Sequence, residues 1–160
     1  MTGQAMVDDS FPVPDFHVGG VFRLEVLGPR HNEADHAAWM SSIEHIRATP
    51  GFGRGWPPVA GMTSAENLAD LERHAERSAR RVDFAYSVIE VASGDVVGCV
   101  YFVPAADGEV KALSWVSAAR AELDGPLTEV VGEWLRAVWP FEVVHYRSGA
   151  SPVMIRKSPG

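Results

Sequence analysis

Residues Val110 to Tyr146 read VKALSWVSAARAELDGPLTEVVGEWLRAVWPFEVVHY. VKALSWV predicts one strand and FEVVHY another. Between them Leu127, Val130, Val131, Trp134, Leu135 and Val138 form a dense apolar stripe at helical spacing, and Pro140 ends the helix. A strand, a helix and a second strand make a crossover, and its right-handedness lays the helix against the sheet. A mixed α/β fold follows from this unit. The connection Ser117–Leu127 raises a second question. A helix start after a strand is a common anion site, because its N–H groups are free and its dipole end is positive. This connection has a single glycine, a proline and two acids, Glu122 and Asp124.

Upstream, VDFAYSVIEVASGDVVGCVYFVP holds two β-rich runs around Ser93-Gly94-Asp95, a hairpin signal. The second run is apolar on both faces, which places it centrally in the sheet. Asp107-Gly108 signals the next hairpin, so three antiparallel strands feed the crossover. Thr63 and Glu66 make a capping box for a helix whose apolar face carries Leu68, Leu71, Ala75 and Ala79. Its other face, with Glu66, Asp70, Glu72, Arg73, Glu76, Arg77 and Arg80, reads as solvated. Before it, PGFGRGWPPVAG is too apolar for an idle linker, since Phe52 and Trp56 must pack on the body or line a site. Asn32 is placed to cap a helix running to about Thr49, with Trp39, Ile43 and Ile46 on its buried stripe. VFRLEVL alternates as a half-buried strand. Residues 1–20 read as an irregular arm and 148–160 as a loose tail, with a short extended segment at Val153–Ile155.

The 160 residues suit one domain with a sizeable core. A net charge of −7 argues against nucleic acid as the main partner. The lone Cys99 sits in an apolar run, which excludes an internal disulfide and points to the cytoplasm. No signal peptide or membrane-length apolar run is evident. His31 and His36 lack the spacing of two ligands on one helix face, so no metal is expected.

The element order β-α-α-β-β-β-α-β over residues 21–147 resembles the GNAT superfamily of acyl-CoA-dependent N-acyltransferases. YSVIEVASGDVVGCVYF looks like that family's second and third strands, and WVSAARAELDGPL falls at the end of its fourth strand and its pyrophosphate loop. The resemblance implies a GNAT-like mixed sheet with helices on both faces. It implies acetyl-CoA as cofactor and acetyl transfer to a small-molecule or peptide amine. It assigns pantetheine pairing to Ser114, Trp115 and Val116, and phosphate binding to Arg120, Gly125 and Leu127. The loop departs from the family pattern. Leu123 stands at a glycine position, Pro126 removes an N–H, and Glu122, Asp124 and Glu129 add negative charge, so anion binding is expected to be weakened. The chain also has few residues after the last strand, and a homodimer through that C-terminal strand edge is one way to cover it.

Acyl transfer to an amine needs a bound thioester, a polarised carbonyl and a base. Glu90 and His145 are candidate bases, with Glu142 beside them. Tyr86, Tyr101 and Tyr146 are candidate donors. Each also reads as an ordinary edge or packing residue. Phe52, Trp56 and Tyr101 are the candidate acceptor pocket. Two functions stay open at this point: an N-acyltransferase with a degenerate pyrophosphate loop, or a non-catalytic GNAT-like ligand-binding or assembly module.

Overall fold

The computed structural model describes residues 4–147 and 153–157. β1 (Phe16–Gly19) and β2 (Phe22–Val26) form a hairpin. α1 (Asn32–Met40), α2 (Ile43–Arg47) and α3 (Ser64–Ala79) follow. β3 (Phe84–Glu90), β4 (Val96–Pro104) and β5 (Val110–Val116) make the meander. α4 (Asp124–Ala137) then crosses to β6 (Val143–Tyr146), and β7 (Val153–Arg156) completes the far edge. The sheet has seven strands in sequence order. Every neighbouring pair is antiparallel except β5 and β6, which are parallel because α4 returns the chain to the same end.

Helices cover both faces. On one, α4 sets Leu127, Val131, Trp134 and Leu135 against Phe22, Leu24, Tyr86 and Phe102. On the other, Trp39, Ile46 and Leu71 close over Ala85, Cys99 and Trp115. Adjacent residues such as Cys99 and Val100 serve opposite cores, as the period of a strand requires. Cys99 is fully enclosed, and burial pushes its thiol pKa upward, so it is inert filling.

The expected core order is present and is extended at both ends. A strand, β1, lies within the arm read as irregular, because Gly20 at φ 54° turns the chain back onto β2. Its apolar residues Phe16 and Val18 are exposed, so burial pattern could not announce it. The rest of the arm is docked. Val7 is buried, Phe11 packs on Trp139 at 5.4 Å, and the Met6 amide donates to the Arg81 carbonyl. In the tail read as loose, residues 153–156 form β7 and Ile155 is buried; 148–152 and 158–160 lie outside the described residues.

The helix expected from Asn32 to Thr49 is broken at Ser41–Ser42 into α1 and α2. Asn32 does not cap it. Its amide donates to the Ser64 carbonyl and accepts from Asn67, tying α1 to α3. Thr63 and Glu66 do form the capping box of α3.

Candidate active site

β5 and β6 pair at only three positions, Val110 with Val144, Lys111 with His145 and Ala112 with Tyr146. The Arg147 amide then donates to the Ala112 carbonyl, 3.0 Å, and the strands part. Ser114 and Val116 share the backbone direction of Ala112, so their N–H and C=O groups face the split. At its apex the Ser114 and Tyr146 hydroxyls are 2.7 Å apart. Arg147 is only 8% exposed, and its guanidinium donates to Ser114 Oγ and Thr128 Oγ1, each at 3.2 Å, and forms an ion pair with Asp124. Burial raises the pKa of the Tyr146 hydroxyl, which therefore keeps its proton at neutral pH.

The connection from β5 to α4 is a short 3-10 turn, Ala118–Leu123, anchored where the Ala118 amide donates to Ser42 Oγ at 2.8 Å. This explains the break between α1 and α2, since Ser42 must leave the helix to reach the loop. Arg120 forms an ion pair with Glu90 and lies near Glu122. Leu123 packs against the core on the α4 side of the sheet. Asp124 gives no side-chain cap to α4 because its carboxylate faces Arg147. A Cβ on Gly125 would meet nothing within 4 Å, so that glycine is not required by close packing. Leu127 is fully buried.

These residues fit an acyl-pantetheine thioester such as acetyl-CoA at its strand-pairing part, because among the described residues the β5 edge beyond Ala112 has no strand partner on the β6 side. The cations nearest this connection, Arg120 and Arg147, both face carboxylates, Glu90 and Asp124.

On the opposite face a cavity of 480 Å³ reaches β5 at Leu113, the first residue of that strand without a partner in β6. Three aromatic rings form one wall: Phe52 and Trp56, 6.1 Å apart, with Tyr101 at 6.2 and 6.4 Å from them. α3 supplies Asn67, Asp70, Leu71, Arg73, His74 and Arg77. Arg73 pairs with Asp70, and Arg77 donates to Asp83 at 2.7 Å. Asp35 is buried at the same cavity; desolvation raises its carboxyl pKa, opposed by a hydrogen bond from Asn67. Burial lowers the pKa of His74, whose Nδ1 is enclosed with no hydrogen-bond partner among the described residues. A neutral imidazole at a cavity wall is able to accept a proton.

The residues singled out from sequence are therefore distributed. Phe52, Trp56 and Tyr101 come together at the cavity. Trp115 is buried beneath it and donates to the Tyr101 hydroxyl at 3.0 Å. Tyr86 lies in the core on the other face, donating to the Pro14 carbonyl at 2.6 Å. Glu90 is held below the usual carboxylate range, first by a hydrogen bond from Ser93 and then by Arg120. His145 lies 2.6 Å from Glu109. The face of α3 read as solvated contributes Asp70, Arg73 and Arg77 to the cavity, and His74 had no sequence signal beyond its position between them. Among the described residues no group of His, Cys, Asp and Glu is placed to hold a metal ion, and no helix is long and apolar enough to cross a membrane.

No protein-family model and no curated protein matches the sequence. Solved structures do. The ribosomal-protein-S5-alanine acetyltransferase from Vibrio fischeri superposes with a TM-score of 0.66 at 9% identity, over 82% of this chain and 72% of that one. The microcin C7 self-immunity acetyltransferase MccE, solved with acetyl-CoA and AMP, gives 0.65 at 13%, over 87% and 76%. A GCN5-related N-acetyltransferase from Brucella melitensis gives 0.63 at 20%, over 86% and 63%. The chain has the GNAT fold.

Proposed function

We propose that this protein is an acyltransferase that moves an acyl group from an acyl-CoA thioester to an amine. The observation that carries the reading is the meeting of two features at Leu113: the parting of β5 from β6, and the cavity on the other side of the strand. A thioester entering through the split would present its acyl carbon towards the cavity beside Leu113, where an amine can meet it, and direct transfer requires the two reacting atoms to come within about 3–3.5 Å. When bound, the thioester supplies an activated acyl carbon and a thiolate leaving group.

The chain's own groups have distinct tasks in this reading. His74, neutral because burial disfavours its charge, takes the proton that the amine loses as its nitrogen bonds to the acyl carbon. The backbone N–H groups of β5 at the split polarise the carbonyl. Tyr146, kept protonated by burial, is the hydroxyl at the apex available to protonate the departing thiolate. Release of free thiol from acetyl-CoA, assayed with a panel of primary amines, tests the reading. Expected is amine-dependent release that is lost in His74→Ala; no release with any amine, together with no acetyl-CoA binding at millimolar ligand, overturns it.

A second reading, a ligand-binding module without transfer, is favoured by the ion pairs Arg120–Glu90 and Arg147–Asp124. Arg120 in the loop and Arg147 after β6 both already have carboxylate partners. Acetyl-CoA binding without amine-dependent turnover would support it.

A further inference from the structure

The charges at the cavity do not all cancel locally. Arg73 and Arg77 are each paired with an aspartate. Arg54 also lines the cavity and has no ion-pair partner among the described residues. It sits between Gly53 and Gly55, at φ 115° and 95°, conformations that glycine adopts freely and that carry Arg54 around the rim. Asp35 is the complementary case. Its carboxyl is buried in the same cavity, with one amide donor from Asn67 and, among the described residues, no cation bonded to it. Burying a carboxylate without a cation is costly, and a ligand cation would relieve that cost. The aromatic wall gives an apolar body somewhere to lie, and its volume lies in the range of small-molecule sites.

We propose that the cavity binds a small zwitterion with an aromatic body, of the aromatic amino acid class, with its carboxylate on Arg54, its ammonium towards Asp35, and its ring against Phe52, Trp56 and Tyr101. This deepens the acyltransferase reading, since it names the amine, and it rests on that reading only for what happens to the amine afterwards. The recognition itself needs no thioester. A carboxylate on a guanidinium is a directional, charge-assisted contact, so ligands lacking either charge lose a defined part of their affinity.

Isothermal titration of the intact protein with L-phenylalanine, L-tryptophan, 2-phenylethylamine and 3-phenylpropanoate tests the assignment. The amino acids are expected to bind at least about tenfold more tightly than either analogue, the loss typical of one charged hydrogen bond. Arg54→Gln should bring phenylalanine down to the affinity of phenylethylamine and leave phenylethylamine unchanged. Arg54 is exposed, so this variant folds, and circular dichroism checks it. Equal affinity for phenylalanine and phenylethylamine, an unaltered phenylalanine affinity in Arg54→Gln, or no binding of either amino acid at millimolar concentration overturns the proposal. The two readings fail separately. Amino acid binding without acetyl-CoA turnover removes the acyltransferase and leaves the zwitterion site. Turnover on amines that lack a carboxylate, as fast as on amino acids, does the reverse.

Discussion

Glu90 on β3 and Arg120 in the β5–α4 connection form an ion pair, so each occupies the group that the other's proposed role requires to be free. A carboxylate held low by Ser93 and Arg120 is a poor base. A guanidinium already facing Glu90 and Glu122 is a poor phosphate ligand. Glu90→Gln should therefore tighten acetyl-CoA binding severalfold in a direct titration, not slow the reaction as removal of a base would. The acid response is also defined. Because the folded pKa of Glu90 is depressed, its contribution to stability is present above the unfolded carboxyl range and is lost as pH falls through the folded value. The melting-temperature difference between Glu90→Gln and the native protein should shrink as pH is lowered below about 4.

Arg147 is tied to Asp124 at the start of α4 while donating to Ser114 across the split. Asp124→Asn removes the negative partner and keeps the hydrogen-bonding shape. Acetyl-CoA affinity should rise in this variant and become more sensitive to salt, as expected when a freed cation meets phosphate. Unchanged affinity at low salt would show that phosphates do not approach Arg147.

His74 predicts the pH profile. Its folded pKa lies below the ordinary histidine value, so the imidazole is neutral through most of the range above it. Turnover should fall only on the acid side of about pH 6.5, and His74→Ala should lose roughly 10²–10⁴-fold in rate together with that acid limb. Stability follows the same sign: burial of the neutral ring favours folding above the unfolded pKa and is lost as pH falls through the folded one.

Tyr86 and Leu127 separate structure from chemistry. Tyr86→Phe breaks the bond to Pro14 and should cost about 1 kcal/mol, while loosening the arm to limited proteolysis. Its turnover should match the native rate. Leu127→Ala opens a hole beside Trp134 and Val131 and should cost about 2–5 kcal/mol in urea unfolding.

The crossover and the meander were legible in the sequence because their periods are long and their turns carry Gly-Asp or Asp-Gly. β1 was not, because its apolar residues point to solvent and only the ladder with β2 defines it. The aromatic wall was legible from a Gly/Pro loop too apolar to be idle. The opposite wall was not. Charges on α3 that read as solvated become cavity lining because residues 51–56 fold over them, a long-range event that no local pattern encodes. The state of Arg120 was hidden for a similar reason, since Glu90 is thirty residues away and reaches it only across the sheet.

Four of the five tryptophans, Trp39, Trp115, Trp134 and Trp139, are at most 1% exposed, while Trp56 stands half-buried at the cavity with its ring 5.4 Å from Trp39 and 6.1 Å from Trp115. The molecule thus carries its own optical gauge. Acrylamide should quench only the red edge of the emission, which belongs to Trp56, and Trp56→Phe should abolish that fraction. Occupation of the cavity is readable in the native chain without any attached dye.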